Sequence, residues 1–488
     1  MRKAVLFLGS ALLAVAPATS QGVRQLNPRD VAEAQRQHAE MVQELGGAET
    51  GPRAAYVEAV GRRVGAYSGV ANPGQALRFT TLNAAVENAF SVPGGYVYVT
   101  RQLMAIMDDE AQLAFALAHE VGHIAANHAH IREAYAQRSS ILGVLGQVLS
   151  SVVGNGVFGS MISQNAQRGA QLRTLSFSRD QEYQSDTLGM RYMIAAGYDP
   201  SGAAGILGAL SRASALQTRV QGRANRQTPE WASTHPLSEN RRQRAVQAAQ
   251  ASGRLGTGIR NRDGFLAQVN GVYVDDDPAQ GVIDGASFIH PDLRIQFNVP
   301  QGYRMSNGTA AVTISGSAGK AQFGGGRFSG PLDTYIMRVF QELTQGQMRL
   351  AIPPAQRTTI NGMPTAFTTA RIRARSGVID VTVVAYQWDP QRVYHFIMIT
   401  PGGTAAGAFA PMITSLRKIS AVEAAAIRPR IIEVVTVRPG DTVQSLASRM
   451  AYRDFKLDRF LSINGLAATS PLPPGQKVKL VVFGQRRA

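Results

Sequence analysis

The run Ala118-His119-Glu120-Val121-Gly122-His123 sets two imidazoles and a carboxylate within little more than one helical turn. Residues four apart share one face of an α-helix, so His119 and His123 can offer ring nitrogens to a single ion. Zinc takes such nitrogens at ~2.0–2.1 Å, and a catalytic site leaves one position open for water. Glu120 stands where it can take a proton from that water as general base. This combination suits metal-assisted hydrolysis of a peptide bond. Glu110 to Ala126 reads as the helix that carries the motif, with Leu113, Phe115, Leu117, Val121 and Ile124 as its apolar residues. Buried ionisable groups are costly unless paired or bound to metal. Two histidines serving only as core residues would leave Glu120 buried with no partner.

A third ligand is needed. The metzincin spacing asks for a histidine six positions after His123, and that position is Ala129. His130 shares the helical face but lies ~10 Å further along the axis, and His128 is expected on the opposite face. The better candidate lies in Ser178-Arg179-Asp180-Gln181-Glu182-Tyr183-Gln184-Ser185-Asp186. Glu182 and Asp186 are spaced i, i+4 on a second expected helix, which runs on through Leu188, Met190, Tyr192 and Met193 to Gly197. Glu182 would complete a shell of two histidines and one glutamate. Asp186 would accept the other N–H of a ligand histidine and fix its tautomer. The competing reading is two solvated carboxylates on a helix face.

Four stretches together resemble a known family: Asn88-Ala89-Phe90-Ser91-Val92-Pro93-Gly94-Gly95-Tyr96-Val97-Tyr98-Val99; His119 to His123; Glu182 to Asp186 with Ala196-Gly197-Tyr198-Asp199-Pro200; and Thr234-His235-Pro236 with Arg241 beyond. The family is that of the zinc metallopeptidases that include HtpX and the CAAX prenyl endopeptidases, and the likeness is to its soluble periplasmic branch. The resemblance implies one zinc ion per chain on His119, His123 and Glu182, with Glu120 as general base and acid. It implies that His235 and Arg241 lie at the mouth of the site. There a histidine can steady the tetrahedral intermediate or plug the open metal position. It further implies that the strand opening at Gly94, Gly95, Tyr96 and Val97 is an edge strand pairing with substrate backbone. Such pairing reads main chain, so extended, unfolded polypeptides are favoured over a narrow sequence. An ordinary core hairpin strand is the competing reading for that segment.

Arg2 and Lys3 precede an apolar run from Ala4 to Val15, followed by small residues suited to cleavage after Ala18 or Ser20. This pattern predicts a secretory signal peptide over residues 1–20, and hence a periplasmic location. The chain has no cysteine, which excludes disulfide staples and thiolate metal sites. Its 488 residues predict several domains, and its formal net charge of +17 favours anionic surroundings such as cell wall or acidic lipid. No recognition motif supports nucleic acid as a partner.

The fold class expected is multidomain α+β. A mainly helical, gluzincin-type zinc peptidase domain with a small edge sheet would span residues 21–252, with amphipathic helices over 28–68 and a polar closing helix at Glu239 to Ala251. Ile141 to Ser163 carries no charge and reads as a lid or membrane-touching flap, in preference to a core helix or a membrane span. After a Gly/Arg-rich linker (253–264), an α+β domain over 265–420 would form one antiparallel sheet with helices on one side. Its β-patterned runs are Ile295 to Val299, Ala310 to Ile314, Thr358 to Ile360, Ile379 to Tyr386 and Val393 to Ile399. Leu332 to Thr344 and Ala408 to Leu416 read as its helices, and His290 as a packing or capping residue.

A second linker would cover 421–431. Residues 432–483 resemble a βααβ LysM module on the strength of Val437-Arg438-Pro439-Gly440-Asp441-Thr442-Val443, Leu461-Ser462-Ile463-Asn464-Gly465 and Leu472-Pro473-Pro474-Gly475-Gln476. That likeness implies contact with N-acetylglucosamine-containing glycan, hence peptidoglycan; the basic middle (Arg449, Arg453, Lys456, Arg459) departs from a typical module, and a degenerate module that merely docks on the protease is the competing reading. The leading expectation is a periplasmic zinc endopeptidase cleaving misfolded or stalled envelope proteins. The alternative is a chaperone or assembly factor tethered to peptidoglycan, with proteolysis latched or incidental. A cell-wall amidase is a weaker rival, because the histidine and glutamate spacing belongs with protein cleavage.

Overall fold

A computed structural model of the chain describes residues 23–128, 177–221, 235, 239–309, 311–344, 351–374 and 377–486. The expected signal peptide and the apolar Ile141 to Ser163 stretch lie outside the described residues. Among those described, no helix is long and apolar enough to cross a membrane.

The first module opens with α1 (Pro28–Glu44), α2 (Pro52–Gly65) and the short α3 (Pro73–Ala76). Strands β1 (Arg78–Leu82), β2 (Ala89–Val92) and β3 (Tyr96–Thr100) form a sheet in the order β1-β3-β2. Then come α4 (Arg101–Ile106) and α5 (Glu110–Ala126), which carries the two-histidine motif. Helices α6 (Arg179–Ala195), α7 (Ser201–Gln221) and α8 (Glu239–Ala251) complete the module. Asp109 caps α5 by accepting from the Gln112 N–H at 3.0 Å, and Ser178 and Gln181 form a capping box on α6. From Glu110 to Ala125 every residue of α5 is buried, as its nearly continuous apolar sequence requires.

The small sheet corrects one expectation. Strand β3 pairs with β1 on one side (Phe79↔Val97) and with β2 on the other (Ser91↔Val97), and all five of its residues are buried. It is therefore the central strand, and β2 is an edge. Gly94 and Gly95 form the β2–β3 turn with φ of 95° and 93°. A Cβ at Gly94 would meet Asp30 O at 2.6 Å, and one at Gly95 would meet Ala76 O at 2.0 Å. Tyr96 and Val97 are walled in, and cannot lend their backbone to an added strand.

Helix α9 (Arg262–Val269) and strand β4 (Tyr273–Val274) follow. The middle module then contains β5 (Val282–Asp284), β6 (Ser287–His290), β7 (Ile295–Asn298), β8 (Arg304–Asn307), β9 (Val312–Gly316), β10 (Gly319–Arg327), α10 (Leu332–Thr344), β11 (Gln356–Ile360), β12 (Met363–Ala374), β13 (Gly377–Asp389), β14 (Arg392–Pro401), α11 (Ala410–Ser415) and β15 (Arg417–Lys418). Two sheets are present where one was expected: seven strands in the order β11-β12-β13-β14-β10-β9-β8, and four in the order β15-β7-β6-β5. Along β13 the two-residue period decides what each side meets. Val381, Val383 and Ala385 pack on α10, whereas Val384, Tyr386 and Trp388 pack toward Phe288 and Phe297 of the small sheet. His290 accepts the Leu293 N–H at 3.3 Å, a packing role.

Helix α12 (Ala421–Ala426), expected to be linker, leads into β16 (Arg430–Thr436), α13 (Val443–Ser448), α14 (Lys456–Asn464) and β17 (Lys477–Phe483). This C-terminal βααβ unit is packed into the first module. Phe265, Val269 and Val274, placed by sequence in the sheet domain, share one buried core with Leu117, Met193, Leu446 and Leu480. The expected linker 253–264 runs over the surface but is tied to the first module: Ile259 exchanges backbone hydrogen bonds with Gly197 and Asp199, and Arg260 pairs with Asp109 at the start of α5. Strand β4 pairs with β16, extending the C-terminal sheet across the boundary.

Two fully buried cations bolt the modules together. Arg101 donates to Asn83 Oδ1, Tyr273 O and Asp275 O, and Lys479 of β17 donates to Ala105 O and Met107 O at the end of α4. Lys479 also lies 3.3 Å from Asp108, just ahead of the α5 cap. Burial depresses the Lys479 ammonium, opposed by Asp108. Lys479→Ala should cost about 3 kcal/mol, since breaking a buried pair leaves its partners uncompensated. In urea unfolding, the C-terminal unit and the helical module should both lose stability. A wild-type midpoint would show that the bolt is not needed.

Candidate metal centre

Helices α5 and α6 cross where each carries glycine. A Cβ at Gly189 would stand 3.0 Å from His119 N, and one at Gly122 would stand 3.2 Å from Ser185 O. This closeness lets carboxylates from α6 reach imidazoles on α5. Four donors converge there, with His119, His123, Glu182 and His235 presenting ligand-type atoms all within 4.8 Å of one another. His119 Nε2 lies 3.0 Å from His123 Nε2 and 3.4 Å from His235 Nδ1. Glu182 Oε1 lies 3.4 Å from His123 Nε2 and 3.0 Å from His235 Nδ1. Donors gathered this closely on imidazole and carboxylate side chains could hold one metal ion. All four residues are buried.

The surrounding groups hold these donors in place. His119 Nδ1 lies 3.0 Å from Asp186 Oδ1. Burial pulls the His119 ring down, yet its contacts with Asp186 and Glu182 outweigh that and raise it to about 9. Burial takes His123 well below the ordinary histidine range. Burial alone would raise Asp186, but Arg241 and His119 hold it down at about 2. Glu182 is likewise held well below the usual carboxylate range, with His235, His119 and His123 overcoming its burial.

Arg241 corrects a second expectation. It is not at a mouth: it is 2% exposed and bonded to Asp186 through Nε at 2.7 Å and Nη2 at 2.6 Å. Its Nη1 lies 2.6 Å from Glu182 Oε2. A bidentate guanidinium between two carboxylates is a positioning device, since its donors are already turned inward. His235 is also enclosed, at 1% exposure, with its Nε2 3.3 Å from Glu120 Oε1. Glu120 is fully buried, which raises its carboxyl, and its Oε2 accepts from Ser91 Oγ at 3.0 Å.

Residues not singled out by sequence complete the site. Ser91, on edge strand β2, falls inside the first of the four family-like stretches but carried no expected role. His128 was expected on the far face of α5, but the helix stops at Asn127, whose left-handed φ of 59° turns the chain back. His128 Nδ1 thereby comes within 2.9 Å of His123 Nδ1. The signal for this turn is an asparagine at a helix end. Phe177 stacks on His123 with ring centroids 3.8 Å apart. Beside these residues lies a cavity of about 480 Å³, walled by Leu26, Pro28, Ser91, Val92, His123 and Phe177 among others.

Residues 52–249 match the model of peptidase family M48, and residues 435–481 match that of the LysM domain. The chain carries an M48 metallopeptidase domain and a C-terminal LysM domain. It is similar to the Beta-barrel assembly-enhancing protease of Yersinia pestis, 30% identical over 195 residues that cover 38% of this chain and 37% of that protein. The protein of the same name from Escherichia coli is 29% identical over 190 residues, with the same coverage. The Mitochondrial metalloendopeptidase OMA1 of Schizosaccharomyces pombe is 28% identical over 190 residues, 39% of this chain and 51% of that one. The similarity thus spans between about a third and a half of these relatives' length.

Arg241→Met should strand Glu182 and Asp186 as uncompensated buried charges. Breaking such a network costs about 3–5 kcal/mol, and urea unfolding of the metal-free protein should register it. Unchanged stability would mean that the guanidinium neutralises nothing.

Proposed function

We propose that this protein is a zinc-dependent endopeptidase of the periplasm that cleaves misfolded or stalled envelope proteins. The observation that carries the reading is the convergence of three imidazoles and one carboxylate beside the buried Glu120. Similarity to proteases named for β-barrel assembly supports the choice of substrate, and the amino-terminal pattern of Arg2, Lys3 and an apolar run supports export. A zinc ion on His119, His123 and Glu182 would supply Lewis acidity and an acidified water.

The chain's own residues do the rest. Asp186 orients His119, and Arg241 holds both α6 carboxylates. Ser91 pins one oxygen of Glu120, leaving Oε1 facing the cluster. Glu120 takes a proton from the attacking water there and returns it to the leaving amine. Its burial favours this task, because a raised carboxyl is a stronger base toward the water and still carries the proton when the amine leaves. Substrate would lie along edge strand β2 beside the cavity, not along β3, and be read through its main chain. His235 fills the position that substrate water needs, so the resting enzyme is latched. The LysM domain would tether the enzyme to peptidoglycan, with the middle sheets free to hold substrate or partner.

Glu120→Gln should abolish cleavage of an unfolded outer-membrane β-barrel protein while zinc stays bound, as metal analysis of the purified protein would report. Removing zinc with a chelator should do the same reversibly. Zinc-bound wild type that never cuts would favour the assembly-factor reading. Glu182→Ala should strip zinc, and full stoichiometry in that variant would remove Glu182 from the shell. His235→Ala should raise basal cleavage about tenfold. Lost activity instead would make His235 a transition-state donor.

A further inference from the structure

His128 lies outside the four-donor cluster, yet it touches one of its members. His123 turns Nε2 toward His119 and Glu182, and Nδ1 toward His128 Nδ1 at 2.9 Å. The other nitrogen of His128, Nε2, lies 3.0 Å from Gln184 Oε1. A carbonyl oxygen can only accept, so His128 must carry its proton on Nε2. A neutral ring then has a bare Nδ1, which accepts from His123 Nδ1–H. The lone pair of His123 is left on Nε2, the nitrogen that faces the cluster. Further contacts seat the His128 residue: Ser185 Oγ lies 3.3 Å from its Nδ1, and its backbone carbonyl accepts from Gln181 Nε2 at 3.2 Å.

We infer that Gln184 and His128 form a relay that sets the tautomer of His123 and so prepares it to bind metal. His119 has the matching arrangement, with Asp186 in place of His128. One histidine is therefore oriented by a carboxylate and the other by a neutral ring whose direction an amide dictates. Asp186 and Gln184 both sit on the helix that supplies Glu182, so one element positions all three donors. The inference rests on His123 being a ligand under the proposed function. Outer partners of ligand histidines typically govern metal affinity by ten- to a hundredfold.

The test is the zinc dissociation constant of the full chain, read by competition with a chromophoric chelator. His128→Ala should weaken binding about tenfold or more, and His128→Asn, whose Oδ1 can still accept, should recover part of it. Gln184 is exposed, so its variants leave the core intact. Gln184→Glu keeps the acceptor and should bind as well as wild type. Gln184→Lys presents a donor, reverses the relay and should weaken binding several-fold. A lysine at exposed Thr187 supplies the same charge without touching His128, and should have little effect.

Equal affinity in Gln184→Glu and Gln184→Lys, or wild-type affinity in His128→Ala, would overturn the relay. Ring ¹⁵N spectra of the metal-free protein read the tautomer independently of zinc. His123 should be protonated on Nδ1 in wild type and should lose that preference in His128→Ala. An Nε2–H tautomer of His123 in wild type would contradict the inference whether or not zinc binds. A wild-type chain that binds no zinc would instead refute the proposed function.

Discussion

Enclosing His119, His123, His235, Glu120, Glu182 and Arg241 in one place, with half-buried Asp186 beside them, is possible only because two helices approach closely enough to pair them. Isolated buried charges cost many kcal/mol each, and even a paired charge must have its remaining donors and acceptors met. Gly122 and Gly189 remove the side chains that would hold α5 and α6 apart, as the 3.0 Å approach of a Cβ at Gly189 to His119 N shows. The carboxylates and imidazoles of the cluster can then be shared among one guanidinium, one another and a metal. Larger residues at those glycines would separate donors whose spacing must hold to a few tenths of an ångström.

The rest of the molecule braces that crossing. Helix α5 begins at Asp109, whose side chain caps it and pairs with Arg260. One residue earlier, Asp108 meets Lys479 of the LysM domain and Arg212 of α7. The start of the metal-site helix is therefore held by three distant parts of the chain. A LysM domain on a loose tether would leave the peptidase core to stand alone. Here its β17 and α14 share the same buried cluster as α5, and its exposed Gly440 and Gly475 turns keep a set direction relative to the site.

Local spacing made much of this legible and left the rest hidden for physical reasons. His119 and His123 share a face because 3.6 residues make a turn, and the same period aligns Glu182 with Asp186. That the two faces meet is a long-range event, foreshadowed in the sequence only by the glycines. His128 escaped because one left-handed residue, Asn127, ended the helix just before it. Whether β3 is central or an edge depends on β1, which reaches it by a non-local parallel pairing that no local pattern announces. Strands such as β10 were missed because Gly324, Gly325 and Gly326 give no β-signal. Arg241 was legible as a site residue only through the family likeness, and its work between the Asp186 and Glu182 carboxylates shows only in the fold.

The site is defined by four donors from three segments closing on one ion, with His235 as the fourth. X-ray absorption at the zinc edge of the full-length protein addresses this without intermediaries. Four nitrogen or oxygen neighbours are expected at ~2.0–2.1 Å with three imidazole signatures, falling to two in His235→Ala while zinc is retained. Two imidazoles in the wild type, unchanged by His235→Ala, would contradict the four-donor site.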